Sequence, residues 1–504
     1  MSDVLAPHYE DGGLRLWHGP NLDILSADAL GYPYALGYHP DRLIPDGTYD
    51  SVITDPPYEL GFMGKAWDSS GIAYSVDVWR EVLRVLKPGG YLLSFGGSRT
   101  YHRIAVAIED AGFEIRDNIA WLYSQGFPKS MDVATAVDKL DAAAERRTRA
   151  LTFTAWMRQH LTAQRINEIT GTAMGSHYVT DKEQPSVATA DLFDQLRPHL
   201  PEVPAEIEQL VLERTVESEN WKNREVTGRH EKPAAAQVWR AGVIGGQVKG
   251  PRERRDRAFT ETAQQWEGWG TALKPAFEPI IVARKPHKGT VAANVVAHGT
   301  GAINVDACRI PFASEADRRE STEKNQHAKF GTIPGGNKVY GDYSQTEMKD
   351  YDGSKGRWPT NVLLTHAPDV DELGRVVGDA CVDGCVPGCT VADLDAQTVG
   401  ASRFFPTFRY EPKAGGAERP EVDGVEHATV KPLGLMQWCA RLITKPGGRV
   451  LDLYAGSGTT GEAALLEGME VDLIELEASH LPLILARVRK PLQPAMFGDW
   501  EAIA

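Results

Sequence analysis

The chain has 504 residues, of which 42% are apolar and 24% are charged, so it is long enough for several globular domains. A net charge of −15 argues against a surface coated for non-specific DNA binding, and no apolar run approaches the length of a membrane span. Five cysteines and a polar, acidic N-terminal segment predict a protein of the reducing cytoplasm, without a disulfide framework and without a membrane partner.

A parallel α/β sheet is predicted for residues 14–122, because strand and helix patterns alternate there. Lys87-Pro88-Gly89-Gly90 would end the first long helix, since proline and glycine interrupt the helical pattern. The predicted elements are a strand and a helix within 14–25, a strand over 50–54, a helix over 76–86, a strand over 91–95, a helix near 100–111 and a strand over 113–122.

The turn after the strand 50–54 carries the first candidate site. Asp55 is followed by Pro56, Pro57 and Tyr58, and because the prolines lack N–H donors the strand ladder must stop there. Ligands of open α/β sheets bind at this end of the strands. A carboxylate and a carbonyl oxygen can accept both hydrogens of an exocyclic amine, and a tyrosine ring can stack on a base lifted out of a duplex. The alternative is an ordinary turn with a solvated Asp and a packed Tyr.

The composition changes near Asp138, where residues 138–215 become polar, charge-rich and helical in pattern. Residues 161–179, with a glycine-containing turn in the middle, resemble a helix-turn-helix. This interpretation places Ser176, His177 and Tyr178 on or near a helix that reads a DNA groove. The alternative is a small helical insertion used for packing.

A basic connector follows, with ten Lys and Arg against four acids over residues 222–257. It is either a local DNA-binding face or a solvated linker. Residues 279–283 predict a strand that returns to the sheet. Residues 311–356 show little periodicity and predict a loop, and residues 357–364 suggest one more strand.

A metal site is suggested by Cys381, Cys385 and Cys389, which together with His366 could supply four zinc ligands. The spacing differs from that of a standard zinc finger. Free thiols in a loop are therefore the alternative.

The last hundred residues predict a ligand-binding loop. Pro432 begins a helix that ends near residue 443, and a strand over 449–454 then enters the glycine-rich segment 455–461. A helix over 462–467 and a strand over 470–474 follow, and Glu475 stands at the end of that strand. Glycines let the backbone pass close to a ligand, the helix N-terminus offers free N–H groups, and the acid can take two ribose hydroxyls.

The same loop also fits the Gly-x-Gly-x-x-Gly pattern, so an oxidoreductase with a nicotinamide or flavin dinucleotide is an alternative. A P-loop is disfavoured, because Glu462 follows Gly461 where a phosphate-binding lysine is required.

Three motifs together resemble the amino DNA methyltransferases, in the order typical of their beta class. They are Asp55-Pro-Pro-Tyr58, His427-x-x-x-Lys431-Pro432 and Asp452-x-x-x-Gly456-Ser-Gly458-Thr-Thr. The resemblance covers about residues 14–130, 266–310 and 401–504. It implies a Rossmann-like fold with the catalytic half before the cofactor half, S-adenosyl-L-methionine as cofactor and double-stranded DNA as partner. An Asp at the head of the catalytic turn is typical of the adenine-N6 members, whereas Ser is commoner in the cytosine-N4 members.

The resemblance also implies roles for single residues. Asp55, the Pro56 carbonyl, Pro57 and Tyr58 would contact the target base and its amino group. The residues expected along the cofactor are Lys431, Pro432, Asp452, Tyr454, Gly456, Ser457, Gly458, Thr459 and, on its ribose, Glu475. Phe95 would sit beside the cofactor adenine or the base pocket.

The family often has an acid after the His-Gly pair near the N-terminus. Here Pro20 follows His18 and Gly19, and Asn21 or Asp23 would have to make that contact.

The predicted function is transfer of a methyl group to adenine N6 in DNA. The alternatives are a cytosine-N4 DNA methyltransferase, a methyltransferase for RNA or a protein amide, a dinucleotide oxidoreductase, and a catalytically silent DNA-binding module. The predicted segments are a catalytic half over 1–137, a helical insertion with the basic connector over 138–265, a return to the sheet over 266–310, a loop-rich target-recognition or zinc-binding insertion over 311–400, and a cofactor-binding half over 401–504.

Overall fold

The computed structural model describes residues 6–26, 43–60, 69–124, 130–222, 226–228, 255–256, 261–327, 354–370, 376–381, 383–409, 421–422, 425–426 and 430–489. The chain divides into two compact units. The first contains residues 1–126 and 276–504, and the second contains residues 127–275. Within these described ranges, no helix is both long enough and apolar enough to cross a membrane.

The described strands are β1 (Tyr9–Asp11), β2 (Leu14–His18), β3 (Tyr49–Thr54), β4 (Leu86–Phe95), β5 (Glu114–Leu122), β6 (Val226–Gly228), β7 (Arg255–Asp256), β8 (Phe277–Arg284), β9 (Val362–Thr365), β10 (Pro368–Val370), β11 (Val376–Asp379), β12 (Thr407–Phe408), β13 (Glu421–Val422), β14 (Val425–Glu426), β15 (Arg449–Asp452) and β16 (Glu470–Glu475).

The described helices are α1 (Asn21–Ser26), α2 (Val76–Val85), α3 (Tyr101–Asp110), α4 (Val133–Met157), α5 (Ala163–Thr170), α6 (Gly175–Val179), α7 (Ala190–Leu196), α8 (Ala205–Lys222), α9 (Glu261–Gln264), α10 (Val291–His298), α11 (Glu315–His327), α12 (Thr390–Gln397), α13 (Leu433–Ile443), α14 (Thr459–Leu466) and α15 (Leu481–Val488).

One large sheet dominates the first unit. Its strand order is β1-β2-β16-β15-β3-β4-β8-β5-β9-β12. Most neighbours are parallel, whereas β8 runs antiparallel to both β4 and β5, and β1 runs antiparallel to β2. The predicted Rossmann-like α/β sheet is therefore confirmed, and so is the return of β8 to it. The antiparallel direction of β8 was not predicted.

Both faces of this sheet are covered by helices. Val52 packs with α2 and α3 on one face, and its neighbour Ile53 packs with α13 and α14 on the other. Alternate residues of a strand point to opposite faces, so strands covered on both sides become apolar at every position. This explains why β3 is buried along its whole length although Asp50 and Ser51 belong to it.

The connections reverse direction between β3 and β15. From β3 the chain passes through α2 to β4 on one side, whereas from β15 it passes through α14 to β16 on the other side. The two strands are parallel neighbours, with Ser51 opposite Val450 and Val52 opposite Leu451. Their carboxyl ends therefore open into the same crevice, which is where ligands bind in open α/β sheets.

Several predicted element boundaries were wrong, among them the starts of β4 and α14. β4 begins at Leu86 and not at residue 91, because Tyr49 pairs with Leu86 and the following residues bulge before Ser51 pairs with Tyr91. Helix α14 begins at Thr459, directly after the left-handed Gly458, and not at residue 462.

The segment predicted as a loop over 311–356 contains the helix α11. Sequence periodicity missed it because it has no apolar stripe. Ion pairs between Glu315 and the next-turn residues Arg318 and Arg319 support it instead. Asp317, which is only 8% exposed, pairs with Arg357 and Arg403 and so attaches the helix to the unit. Residues 328–353 of this segment lie outside the described residues.

The second unit is a helical domain with its own core. Helix α4 begins at Val133, ahead of the boundary predicted at residue 138, and Asp132 caps it by accepting from the N–H of Thr135 at 3.0 Å. Its apolar core is built from α4 to α8. Most of the basic connector 222–257 lies outside the described residues.

The helix predicted to read a DNA groove corresponds to α6, and Tyr178 on it is buried. Its side chain is only 3% exposed and packs edge-on against Phe153, with ring centroids 6.2 Å apart. Ser176 is exposed, but α6 has only five residues, and His177 contacts Asp181 at 2.9 Å. Tyr178 therefore packs in the core of this unit, and the groove-reading role of α6 stays a prediction.

The core of the first unit predicts the first stability test. Trp79 on α2 is fully buried, and its Nε1 donates to the carbonyl of Ala73 at 2.9 Å. Replacing Trp79 by Ala should lower the free energy of unfolding by about 3–5 kcal/mol in a urea titration, because a large cavity remains. The matched control is Trp358→Ala, at a residue that is 64% exposed, where we expect a change within about 0.5 kcal/mol. Equal urea midpoints for the two variants would contradict the assignment of Trp79 to the core.

Candidate active site

The turn after β3 holds a carboxylate whose two oxygens have different surroundings. Asp55 Oδ2 accepts from the ammonium of Lys431 at 2.5 Å. Asp55 Oδ1 is buried, and among the residues that the structure describes no donor lies within hydrogen-bonding distance of it. A buried acceptor without a donor is costly, so it indicates a position that a ligand completes.

Lys431 is the positive centre of this site. Its Nζ lies 3.2 Å from the Tyr58 hydroxyl and 3.5 Å from Glu278 Oε2, and it lies 5.0 Å from the centroid of the Phe95 ring. Burial alone would lower the pKa of Lys431, but the charges of Asp55 and Glu278 outweigh burial and raise it. The lysine is therefore protonated at neutral pH and holds Asp55 as an ion pair.

Glu278 is a site residue that the sequence analysis missed. It lies near the start of β8, and its Oε2 accepts from the Tyr58 hydroxyl at 2.9 Å. The available signal was an acid directly before the apolar run 279–283, but only the antiparallel pairing of β8 with β4 brings that end of the strand to the crevice.

Tyr58 is held in one orientation by contacts at both ends. Its hydroxyl donates to Glu278, and its backbone carbonyl accepts from Thr100 Oγ1 at 2.7 Å. Burial, together with the nearby negative charges, raises the pKa of Tyr58 well above its usual range, so the hydroxyl remains a donor. A Cβ at Gly97 would lie 3.2 Å from Tyr58 Cδ2, which explains why a glycine stands there.

Phe95 lies at the end of β4, beneath Lys431. Its side chain is fully buried and meets Trp121 edge-on, with centroids 6.4 Å apart. The ring thus forms the apolar base under the Lys431 ammonium. Its contact with a cofactor adenine or a base stays a prediction.

Asp452 connects the two halves of the site. Its carboxylate accepts from Thr54 Oγ1 at 2.8 Å, from Thr460 Oγ1 at 2.6 Å and from the backbone N–H of Tyr454 at 3.0 Å. These donors lie on β3, on α14 and in the intervening loop. Burial raises the pKa of Asp452 to about 6, and the three hydrogen bonds oppose that rise.

The glycine-rich loop has the backbone geometry that its sequence predicts. Gly456 and Gly458 have φ values of 53° and 80°, which favour glycine, and a Cβ at Gly458 would lie 3.2 Å from the Cα of Ile484. The buried Arg487 is a second residue missed from the sequence, and its Nε donates to the carbonyl of Ser457 at 3.0 Å. The loop is therefore shaped before any ligand binds.

Glu475 lies where β16 ends, beside this loop. Its Oε2 accepts from the N–H of Gly456 at 2.7 Å, and its Oε1 accepts from the N–H of Glu477 at 2.8 Å. Oε1 also contacts His480 Nδ1 at 3.3 Å, whereas Oε2 has a second lone pair with which it can accept from a ribose hydroxyl. That role remains a prediction.

The other predicted cofactor residues lie close to the same crevice. Pro432 caps α13 directly after Lys431, and Ser457 and Thr459 place their hydroxyl oxygens 3.2 Å apart. Burial raises the pKa of Tyr454, which therefore stays protonated. His427 lies outside the described residues.

Pro20 stands where the family often has an acid, and the segment that contains it lies beside the end of β16. The N–H of Gly19 donates to the carbonyl of Glu475 at 3.0 Å, and Asn21 is only 7% exposed. The contacts predicted for Asn21 or Asp23 stay predictions.

The four residues predicted to bind a metal are brought together. The ligand atoms of His366, Cys381, Cys385 and Cys389 all lie within 4.8 Å of one another.

A family model described as DNA methylase matches residues 49–139 and 247–486, which together make up more than half of the chain. The chain belongs to the DNA methylase family. The matched ranges contain Asp55, Lys431 and the glycine-rich loop, and the resemblance to the amino DNA methyltransferases is confirmed.

One curated relative is the type II methyltransferase M.HpaI of Haemophilus parainfluenzae. It is 34% identical over 91 residues, which are 17% of this chain and 29% of that protein. The match therefore spans less than a third of the length of this relative.

Two solved DNA methylase structures are similar over most of their length. The PvuII DNA methyltransferase (cytosine-N4-specific) is 11% identical and matches 96% of this chain and 89% of that chain, with a TM-score of 0.35. The DNA modification methylase TTHA0409 from Thermus thermophilus is 13% identical and matches 95% of both chains, with a TM-score of 0.32. Because both TM-scores are below 0.5, these similarities support no conclusion about the activity of this chain.

The burial of Asp452 predicts a pH dependence of stability. The folded protein keeps the Asp452 proton up to about pH 6, whereas the unfolded chain, with the ordinary pKa of 3.8, releases it earlier. The folded state binds more protons in this window, so its stability falls as the pH rises through it. This one group should lower the free energy of unfolding by roughly 2 kcal/mol between about pH 4.5 and 7.

Urea titrations at these two pH values test this contribution, with Asp452→Asn as the comparison. An amide does not ionise here, so the variant should lack the contribution of this group. Identical pH slopes for the two proteins would show that Asp452 is ionised throughout the window.

Proposed function

We propose that this protein is an S-adenosyl-L-methionine-dependent DNA methyltransferase that modifies the exocyclic amine of a flipped base, with adenine N6 as the target. The observation that carries the proposal is that Asp55 Oδ1 has no hydrogen-bond donor among the described residues. This oxygen lies at the carboxyl end of β3, beside the glycine-rich loop after β15. A hydrogen-bond acceptor at this position suits a substrate that brings its own N–H groups.

The target amine is held by Asp55 Oδ1 and the carbonyl oxygen of Pro56. Each accepts one of its two hydrogens, which draws the nitrogen lone pair away from the base ring and toward the methyl donor. Lys431 holds the other oxygen of Asp55, so the carboxylate is oriented before the substrate arrives. Preorganised acceptors of this kind need no rearrangement at the moment of reaction.

The base reaches this crevice only after leaving the DNA stack. Tyr58 offers the ring on which it can stack, and the bond to Glu278 fixes that ring in place. Pro57 keeps the turn rigid between Asp55 and Tyr58. Glu278 is thus a positioning residue, because it acts through Tyr58 and Lys431.

The residues after β15 suit the cofactor. Gly456 and Gly458 allow its close approach, Glu475 can accept from its ribose hydroxyls, and Lys431 and Pro432 lie toward the crevice where its methionine end would sit. When bound, S-adenosyl-L-methionine supplies an electrophilic methyl group. The amine nitrogen would take this methyl group, and the neutral thioether would be the leaving group. Asp55 Oδ1, which accepts one amine hydrogen in this proposal, is placed to take up the surplus proton.

The choice of adenine rests on Asp55 at the head of the turn, which resembles the adenine-N6 members of the family. The partner is double-stranded DNA, and we assign its recognition to residues 138–257 or 311–400, which lie outside the core motifs. The description of the matching family model as DNA methylase supports a DNA substrate.

Transfer of labelled methyl from S-adenosyl-L-methionine to unmethylated duplex DNA tests the proposal. We expect labelled N6-methyladenine on nucleoside analysis. Asp55→Ala should lower the transfer rate by about 100-fold or more, because it removes the acceptor that positions the amine.

The matched control for Asp55→Ala is Asp110→Ala, at the exposed end of α3, which should transfer methyl at the normal rate. Labelled N4-methylcytosine would keep the mechanism and correct the base. Labelling of RNA or protein without DNA, or full activity of Asp55→Ala, would overturn the proposal.

A further inference from the structure

The cluster of His366, Cys381, Cys385 and Cys389 plays no part in the methyl-transfer site. Its imidazole Nδ1 lies 3.5 Å from Cys385 Sγ and 3.6 Å from Cys389 Sγ. In a tetrahedral zinc site with Zn–S near 2.3 Å and Zn–N near 2.05 Å, the sulfur-to-nitrogen edge is about 3.6 Å. These two distances match the edge of a zinc tetrahedron.

We propose that these four side chains form a structural Cys₃His zinc site. A structural site is closed, with four protein ligands and no open position, and this cluster offers four ligand atoms within 4.8 Å of one another. The ligands come from two neighbouring segments, since His366 follows β9 directly and the three cysteines lie between β11 and α12. Zinc would join these segments.

The burial of the cluster favours a metal over free thiols. Cys381 and Cys389 are fully buried and His366 is 7% exposed, whereas Cys385 faces the solvent. Apolar side chains surround the buried members, among them Leu364 and Val391. Packing alone does not explain why three cysteine side chains and an imidazole converge on one point. A zinc ion would bind all four groups.

Backbone groups support the charge that such a site carries. Cys389 is the N-cap residue of α12, so it stands at the N-terminal end of a helix. The helix dipole favours a negatively charged thiolate at this end. The Arg409 guanidinium, which donates to the carbonyl of Cys381 at 2.8 Å, adds positive charge nearby.

The zinc would anchor residues 376–409 to the edge of the large sheet. The N–H of His366 donates to the carbonyl of Phe408 on β12 at 2.9 Å, and the adjoining Thr365 accepts from Trp121 Nε1 at 2.6 Å. Phe408 in turn meets Trp438 of α13 edge-on, with centroids 6.3 Å apart. These contacts connect the proposed zinc site, through Phe408 and Trp438, to α13, the helix that begins beside Lys431.

Zinc analysis of the purified full-length protein tests this site. We expect about one zinc per chain by mass spectrometry of the metal. Cys385→Ser should reduce that content several-fold, and because Cys385 is exposed the variant should still fold. Cys308→Ala is the matched control, since Cys308 lies outside the cluster and should leave the zinc content unchanged.

Cobalt(II) substitution gives a second readout that does not depend on stability. The loaded protein should show the intense visible absorption of tetrahedral cobalt bound to thiolates, and Cys385→Ser should weaken it. Protein that contains no zinc after growth with zinc, zinc content that survives in Cys385→Ser, or a disulfide among the three cysteines in reduced preparations would each overturn the proposal.

Discussion

The parallel pairing of β3 with β15 is the constraint on which the site depends. These strands come from residues 49–54 and 449–452, and their pairing brings the Pro-Pro turn and the glycine-rich loop to one crevice. Asp452 strengthens the junction, because one carboxylate accepts hydrogen bonds from both sides of it. Neither half of the site could position a substrate against a cofactor without this pairing.

A buried charge network occupies the catalytic side of the crevice. One ammonium, Lys431, lies between the carboxylates of Asp55 and Glu278, with the Tyr58 hydroxyl in contact with both Lys431 and Glu278. Burying such groups is costly unless each has partners, so the network is weak evidence for added stability. Its value lies in orientation, because the buried Asp55 Oδ1, which has no donor among the described residues, faces a position that the proposed substrate would fill.

Local patterns were enough to predict the turn at Asp55, the glycine-rich loop and the acid at Glu475. Each lies where a strand ends and the next residues interrupt the hydrogen-bond ladder of the sheet. Such a signal spans only a few positions in the sequence. The sequence also suggested that His366 lies close to Cys381 and Cys389, because histidine and cysteine are the usual ligands of zinc.

Features that depend on contacts between residues far apart in the chain could not be predicted from local patterns. Glu278 enters the site only because β8 runs antiparallel between two distant strands, and Arg487 supports Ser457 from a later helix. Helix α11 is held by ion pairs and so shows no apolar period. The sequence around Tyr178 does not indicate whether its ring is exposed or buried, and only the structure shows that the ring packs against Phe153.

The central claim is that the two strand ends divide the work, with the loop after β15 binding the cofactor and the turn after β3 acting on the amine. Calorimetric titration of S-adenosyl-L-methionine into three variants tests it most directly. Gly458→Ala should weaken binding by about tenfold or more, since the new Cβ meets Ile484 and distorts the loop. Gly447→Ala has a similarly positive φ but open space around it, and it should bind as the unmodified protein does. Asp55→Ala should also bind normally. Equal affinities for all three variants, or loss of binding in Asp55→Ala alone, would contradict this division.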